Sequence, residues 1–127
     1  HSGSLYVATR YTKPENFNRG DIILFNHFDS TYVKRVIGLP GDTVSFEDGN
    51  VYINGKRYEE DYLPAGTITD SKEGEYTVPE DCFFVLGDNR LYSYDSRLWE
   101  DPFVHYDDVE ARGVWFVNIP WWSGRTE

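Results

Sequence analysis

The sequence predicts a mostly β protein: a single compact domain of short strands, barrel-like or sandwich-like, with a long polar excursion near residues 59–76. Three observations carry that expectation. Apolar, β-branched and aromatic residues fall in short runs, several of them alternating with polar residues. Turn signals separate those runs. Helical periodicity is almost absent.

Taken in order, Leu5-Tyr6-Val7 reads as a first strand-like segment, residues 21–25 as a short apolar run, and residues 32–39 as a longer one rich in β-branched side chains. Pro40-Gly41 supplies the φ values that the two central positions of a type II turn require. Thr43-Val44-Ser45-Phe46 alternates, Glu47-Asp48-Gly49-Asn50 turns, and Val51-Tyr52-Ile53 alternates again. Asn54-Gly55 is the strongest two-residue hairpin signal in the chain, and Lys56-Arg57-Tyr58 follows it. Residues 59–76 are acidic and aperiodic, so they read as a long excursion or a small inserted lobe. Thr77-Val78-Pro79-Glu80 leads into an apolar strand at 83–86, and residues 113–119 form a last strand. One helical turn is expected at 106–111, where Asp107 and Asp108 suit a helix N-terminus.

A chain of 127 residues is of single-domain size and can bury a core of its own. Its 39% hydrophobic and 17% aromatic content marks a globular rather than a disordered chain. A net charge of −10 counts against nucleic acid and against electrostatic attachment to anionic lipid. No apolar run approaches bilayer-spanning length and no basic, apolar leader is present, so the expectation is a soluble chain. The single Cys82 cannot form an internal disulfide; at the head of an apolar strand it is expected to be a buried structural thiol. His1, His27 and His105 lack metal-ligand spacing, and Glu59-Glu60-Asp61 and Asp107-Asp108 read as solvated charge, so no metal and no cofactor are expected.

Two segments carry chemistry. Lys34 lies within the strand-like Tyr32-Val33-Lys34-Arg35-Val36-Ile37, where alternation puts Lys34 and Arg35 on opposite faces, so one of them must meet a buried surface. A serine hydroxyl is a poor nucleophile unless a base takes its proton, and lysine can act as that base only when neutral. Burial favours the neutral amine. The second segment is the dense polar loop Gly87-Asp88-Asn89-Arg90-Leu91-Tyr92-Ser93-Tyr94-Asp95-Ser96-Arg97, which follows an apolar strand. Gly87 and Asn89 suit a backbone in unusual φ/ψ.

These two segments, with Arg19-Gly20-Asp21-Ile22-Ile23-Leu24-Phe25, resemble the bacterial type I signal peptidases, serine–lysine endopeptidases, of the Gram-positive type and with a pilus-associated variant left open. The resemblance runs from Leu5 to about Ile119. It implies that Lys34 is the general base and that Ser93 orients it. It also implies that Asp95 and Arg97 form a charged pair bracing the loop, shared by Asp88, with Gly87, Asn89, Arg90 and Ser96 as supporting residues. Ser96 is expected to point away from Lys34 on an extended backbone.

The family's nucleophile lies in a Ser-Met-x-Pro-Thr motif, and this chain has no methionine. That motif would fall before His1; Ser2 and Ser4 are weak substitutes. His1-Ser2-Gly3-Ser4 is expected to be a tag or linker remnant, leaving 5–127 as the catalytic domain without its membrane anchor or serine motif. Leu98-Trp99-Glu100-Asp101-Pro102 departs from the aromatic-glycine pair that many members carry. Trp121-Trp122 reads equally as an interfacial membrane anchor or as packing on the end of the domain.

The resemblance implies an endopeptidase on the extracytoplasmic face of the cell membrane, at the bilayer surface. Its partners would be the signal peptides of exported preproteins, held extended against an edge strand, with pilin subunits as further candidates. The alternative is a catalytically silent assembly module for secreted or pilus subunits on the same fold. A self-cleaving, repressor-type serine–lysine protease is a third option, against which the Gly-Asp-Asn-Arg box counts.

Overall fold

The computed structural model describes residues 4–9, 17–72 and 74–117, with side chains for 17–72 and 74–111. The strands are β1 Ser4–Thr9, β2 Ile22–His27, β3 Ser30–Gly38, β4 Thr43–Glu47, β5 Asn50–Ile53, β6 Lys56–Arg57, β7 Glu75–Thr77, β8 Cys82–Leu86, β9 Phe103–His105 and β10 Val109–Val117. A 3₁₀ turn, Tyr106–Asp108, joins the last two. The strands form two sheets, a six-stranded one ordered β1-β10-β2-β3-β8-β9 and a four-stranded one ordered β6-β5-β4-β7, every pairing antiparallel. The mostly β expectation holds, as two packed open sheets with no closed barrel.

Both faces of β8 are covered, which is why its sequence is continuously apolar. All five of its residues are buried. Successive side chains on a strand point to opposite faces. Phe84 and Leu86 therefore join Ile37, Val44, Val51, Ile53, Tyr76 and Val78 in a core shared with the smaller sheet. Phe83 and Val85 join Phe17, Ile23, Phe25, Val36, Trp99 and Val104 in a second core. Cys82 is buried, as expected, and its Sγ lies 3.4 Å from His105 Nδ1.

The turn chemistry read from the sequence is present. Gly41 has φ +89° and the Asp42 amide donates to the Leu39 carbonyl at 2.9 Å, which closes the type II turn. Asp48-Gly49 and Asn54-Gly55 both take positive φ, the requirement of the two-residue turns that match strand twist. The β2–β3 hairpin was not expected. It turns on Phe28-Asp29, with the exposed Phe28 at φ +54° and neither glycine nor asparagine to announce it.

Three boundaries differ from the sequence expectation. The helical turn ends at Asp108, because Val109 already pairs with Phe25 and strand pairing claims the β-branched residue. The excursion is irregular over residues 59–72, but Glu75 and Tyr76 belong to β7, and the Tyr76 ring fills the first core. Residues 103–105 form an edge strand on β8. Ser2, the 118–119 end of the last strand and Trp121-Trp122 lie outside the described residues.

Asp42, at the end of the type II turn, ties distant segments together. Its carboxylate accepts from Arg19 Nε at 3.0 Å, the Leu39 amide at 2.8 Å and Asn54 Nδ2 at 3.0 Å. Burial alone would raise its pKa; the Arg19 guanidinium and the amide donors outweigh that and hold it below the usual aspartate range. Since the folded carboxylate titrates below its unfolded value, its stabilisation is complete above roughly pH 4 and is lost as pH falls through the folded value. Asp42→Asn should thus lower the unfolding free energy by about 1 kcal/mol at neutral pH, with Arg19 partly exposed and screened. Urea unfolding across pH should show the gap between the two proteins closing below roughly pH 4.

Candidate active site

Strand β3 lies between β2 and β8, so both of its edges are paired. Lys34 sits opposite Ile23 of β2, and Arg35 opposite Leu86, the last residue of β8. The two side chains leave β3 on opposite faces and meet the polar loop from different sides. Lys34 is only 6% exposed, and its Nζ donates to Ser93 Oγ at 3.0 Å. The Tyr32 ring centroid lies 5.8 Å from the same nitrogen. Arg35 donates through Nε and Nη2 to the two Asp88 oxygens at 2.9 and 2.7 Å, and through Nη1 to the Gly20 carbonyl. Its guanidinium also lies 3.7 Å from the centroid of the Tyr62 ring.

The loop that carries Ser93 is held from within by Asp95. This fully buried carboxylate accepts from the Gly87 amide at 2.9 Å, from the Arg97 amide at 3.1 Å, and from Arg97 Nε and Nη2 at 2.9 Å each. Arg97 reaches on to the carbonyls of Arg90 and Asp70. Ser96 Oγ accepts from the Val85 amide at 2.9 Å, and the Ser96 amide donates to the Val85 carbonyl, which fastens the loop to β8. Arg90 has no exposed side-chain surface. Its Nε donates to the Gly87 carbonyl at 2.8 Å, its Nη1 to Thr69 Oγ1 at 2.9 Å, and its Nη2 to Glu60 Oε2 at 2.6 Å.

Four sequence expectations change here. Asp88 takes no part in the Asp95–Arg97 pair; it is the partner of Arg35. Gly87 and Asn89 do not take positive φ. The demand at Gly87 is space: a Cβ there would overlap Ser93 Oγ and come within 2.6 Å of Ser93 Cβ and 3.2 Å of Lys34 Nζ. Asn89 instead opens a turn, its carbonyl accepting from the Tyr92 amide. Ser96 is not on an extended backbone but in a turn and fully buried, its Oγ engaged by the Val85 amide. The acidic run also divides. Glu59 is a solvated charge at 73% side-chain exposure, whereas Glu60 is 9% exposed and ion-paired with Arg90.

Glu60 and the Arg35–Asp88 pair were the parts of this cluster that sequence reasoning missed. The only available signal was Tyr62, an aromatic residue in an otherwise polar excursion. Burial raises the Tyr62 phenol pKa, and its 2.7 Å hydrogen bond to Glu60 raises it further. Burial would lower the pKa of the Arg90 and Arg35 guanidiniums, but Glu60 and Asp88 respectively reverse that and keep them charged. Trp99, in the segment that departs from the common pattern, is buried against His27 and Tyr32, with ring centroids 4.2 and 5.0 Å away.

Chemically, the centre is a buried primary amine held by a neutral hydroxyl. In general, burial disfavours the ammonium form of an amine, and a hydroxyl partner adds no charge. An open cleft of about 390 Å³ runs beside Ser93, bordered by Leu91, Leu98, Arg97 and Lys72. The profile of the family described as "Signal peptidase, peptidase S26" matches residues 1–121.

The chain belongs to that family. It is 43% identical over 123 residues to the "Probable signal peptidase I-2" of Synechocystis, covering 90% of this chain and 53% of that protein. It is 46% identical over 90 residues to "Signal peptidase I S" of Bacillus subtilis, covering 64% of this chain and 49% of the relative. The chain thus spans about half the length of these curated relatives. Among solved structures, the signal peptidase I of Enterococcus faecalis superposes with a TM-score of 0.63 at 35% identity, over 76% of this chain and 95% of that one. The Gram-positive resemblance is consistent with the Bacillus and Enterococcus matches.

In this signal-peptidase fold the space around Gly87 offers a direct test. Gly87→Ala must move Ser93 or Lys34, and overpacking of this kind costs about 1–3 kcal/mol. Urea unfolding should register that loss with an unchanged m-value.

Proposed function

We propose that the protein to which this chain belongs is a membrane-tethered endopeptidase that removes signal peptides from exported preproteins, using a serine nucleophile and Lys34 as general base. The observation that carries this reading is the buried contact of 3.0 Å between Lys34 Nζ and Ser93 Oγ, on a scaffold of the signal peptidase family. In the proposed sequence, neutral Lys34 takes the proton of the serine as its oxygen attacks the scissile carbonyl. The resulting ammonium then gives that proton to the departing amine of the mature protein. Water attack on the acyl-enzyme, again assisted by Lys34, releases the signal peptide. Ser93 keeps the amine aimed throughout.

The nucleophile is assigned to a segment N-terminal to Leu5, since the chain lacks the methionine of the family's serine motif. Among the described residues no helix is long and apolar enough to cross a membrane, and the tether is assigned to the same upstream region. The catalytic domain is placed on the extracytoplasmic face, at the bilayer surface, with pilin subunits as candidate substrates. Exposed Leu91, Tyr92 and Tyr94 on the loop that carries Ser93, with Leu98 just after it, offer apolar surface to an extended peptide.

In the full-length protein, Lys34→Ala should abolish precursor processing while circular dichroism and the melting temperature report an intact fold. Near wild-type cleavage by that variant would sink the assignment of Lys34 as the base, whereas a wild-type protein that processes no precursor would favour the silent assembly module. Ser93→Ala should lower turnover by roughly one to three powers of ten, as when a base loses its positioning partner but keeps its chemistry.

The 127-residue chain alone should not hydrolyse a signal-peptide substrate in detergent or lipid. Turnover above background that disappears on Ser2→Ala or Ser4→Ala would place the nucleophile within this chain instead.

A further inference from the structure

We propose that Glu60 is a positioning residue for the Lys34–Ser93 pair, acting through Arg90 and Tyr62 on the backbone at Gly87-Asp88. The proposal rests on the serine–lysine reading of that pair. Gly87 is where the loop comes closest to it: a hydrogen in place of a side chain is all that fits against Ser93 Oγ. The position of this one residue therefore sets where Ser93 can stand relative to the amine. Its amide is fixed by Asp95 from inside the loop. Its carbonyl is fixed from outside by Arg90 Nε at 2.8 Å.

Arg90 can do this only while its own charge is matched. The guanidinium is fully buried, and Glu60 supplies the counter-charge through both oxygens, at 3.1 Å from Nη1 and 2.6 Å from Nη2. The same Glu60 Oε2 accepts from the Tyr62 hydroxyl at 2.7 Å. The Tyr62 ring in turn carries the guanidinium of Arg35, which holds Asp88 at 2.7 Å. Glu60 thus reaches both Gly87 and Asp88, one through Arg90 and the other through Tyr62 and Arg35. No sequence-local contact could do this: thirty residues separate Glu60 from Arg90. The aperiodic excursion after β6 is then the outer half of a clamp whose inner half is Asp95.

Glu60→Gln keeps the side-chain volume and removes the charge. In the full-length protein it should lower kcat about ten- to a hundredfold, the scale of a small misplacement of a catalytic group, while KM stays within about twofold. On a Ser93→Ala background the same change should cost at most about threefold, because residues acting as one unit are not additive. In the 127-residue chain, lysine labelled with ¹³C at Cε should show the Lys34 resonance shifted by Glu60→Gln, and that of Lys56, on its exposed hairpin, unshifted.

Full additivity with Ser93→Ala, or an unmoved Lys34 resonance in a folded variant, would overturn the proposal while leaving the serine–lysine reading in place. Wild-type turnover in Ser93→Ala or Lys34→Ala would instead remove the reading itself. Glu60→Asp keeps the charge and shortens its reach. It should give an intermediate loss of kcat, and it serves the same resonance test where the glutamine variant does not fold.

Discussion

Everything at this site hangs on the carboxylate of Asp95, a charge with no access to water. A buried anion is tolerated only when it is paired and hydrogen-bonded, and Asp95 satisfies both conditions inside its own loop. It holds the first residue after β8 by the Gly87 amide and the end of the loop by Arg97. The intervening residues, Ser93 among them, are closed into a ring whose two ends cannot drift apart. Arg97 extends the closure to the carbonyls of Arg90 and Asp70, so that one buried ion pair organises the loop and its neighbour. Removing either partner would leave the other charge stranded, which is why such a pair acts more as a fixture than as a source of net stability.

Around that fixture the fold supplies rigidity of another kind. β8, from which the loop departs, is buried on both faces, and β3, which carries Lys34, is paired on both edges. Lys34 is thus mounted on an interior strand of the larger sheet, and Ser93 on a loop tied to a fully buried one. The amine and the hydroxyl meet because their supports have little freedom, not because the contact between them is strong. A single side-chain hydrogen bond contributes only about 1 kcal/mol.

Much of the fold was legible because glycine, asparagine and proline announce backbone geometry locally. Gly41, Gly49 and Gly55 all lie where the sequence placed turns, and the apolar run at Phe83 to Leu86 became the strand it resembled. The Phe28 hairpin was illegible for the same reason in reverse: its positive φ falls on a residue that rarely adopts it. At the site, the side-chain types in the loop were readable but their partners were not. Asp88 has arginines near it in sequence, yet its partner arrives from β3; Glu60 looked like one more charge in an acidic run. Ion pairing between segments far apart is a property of the packed chain, and an excursion without periodicity gives no face from which to read it. Gly87 shows a subtler gap. The sequence flagged a glycine, but glycine serves both for conformational freedom and for clearance, and only the neighbouring Ser93 decides which.

The adjacency of Lys34 and Arg35 on β3 has a consequence for pairing fidelity. Side chains on a strand alternate with a period of two, so a slip of β3 by a single residue would exchange their faces. A guanidinium, which stays protonated at any physiological pH, would then occupy the place of the amine beside Ser93. A strand on a sheet's edge could make that error against one neighbour. β3 would have to break register with β2 and β8 together, the second of those pairings carrying a register shift between Val36 and Gly38. Placing this strand in the middle of the sheet therefore guards the identity of the residue that faces Ser93.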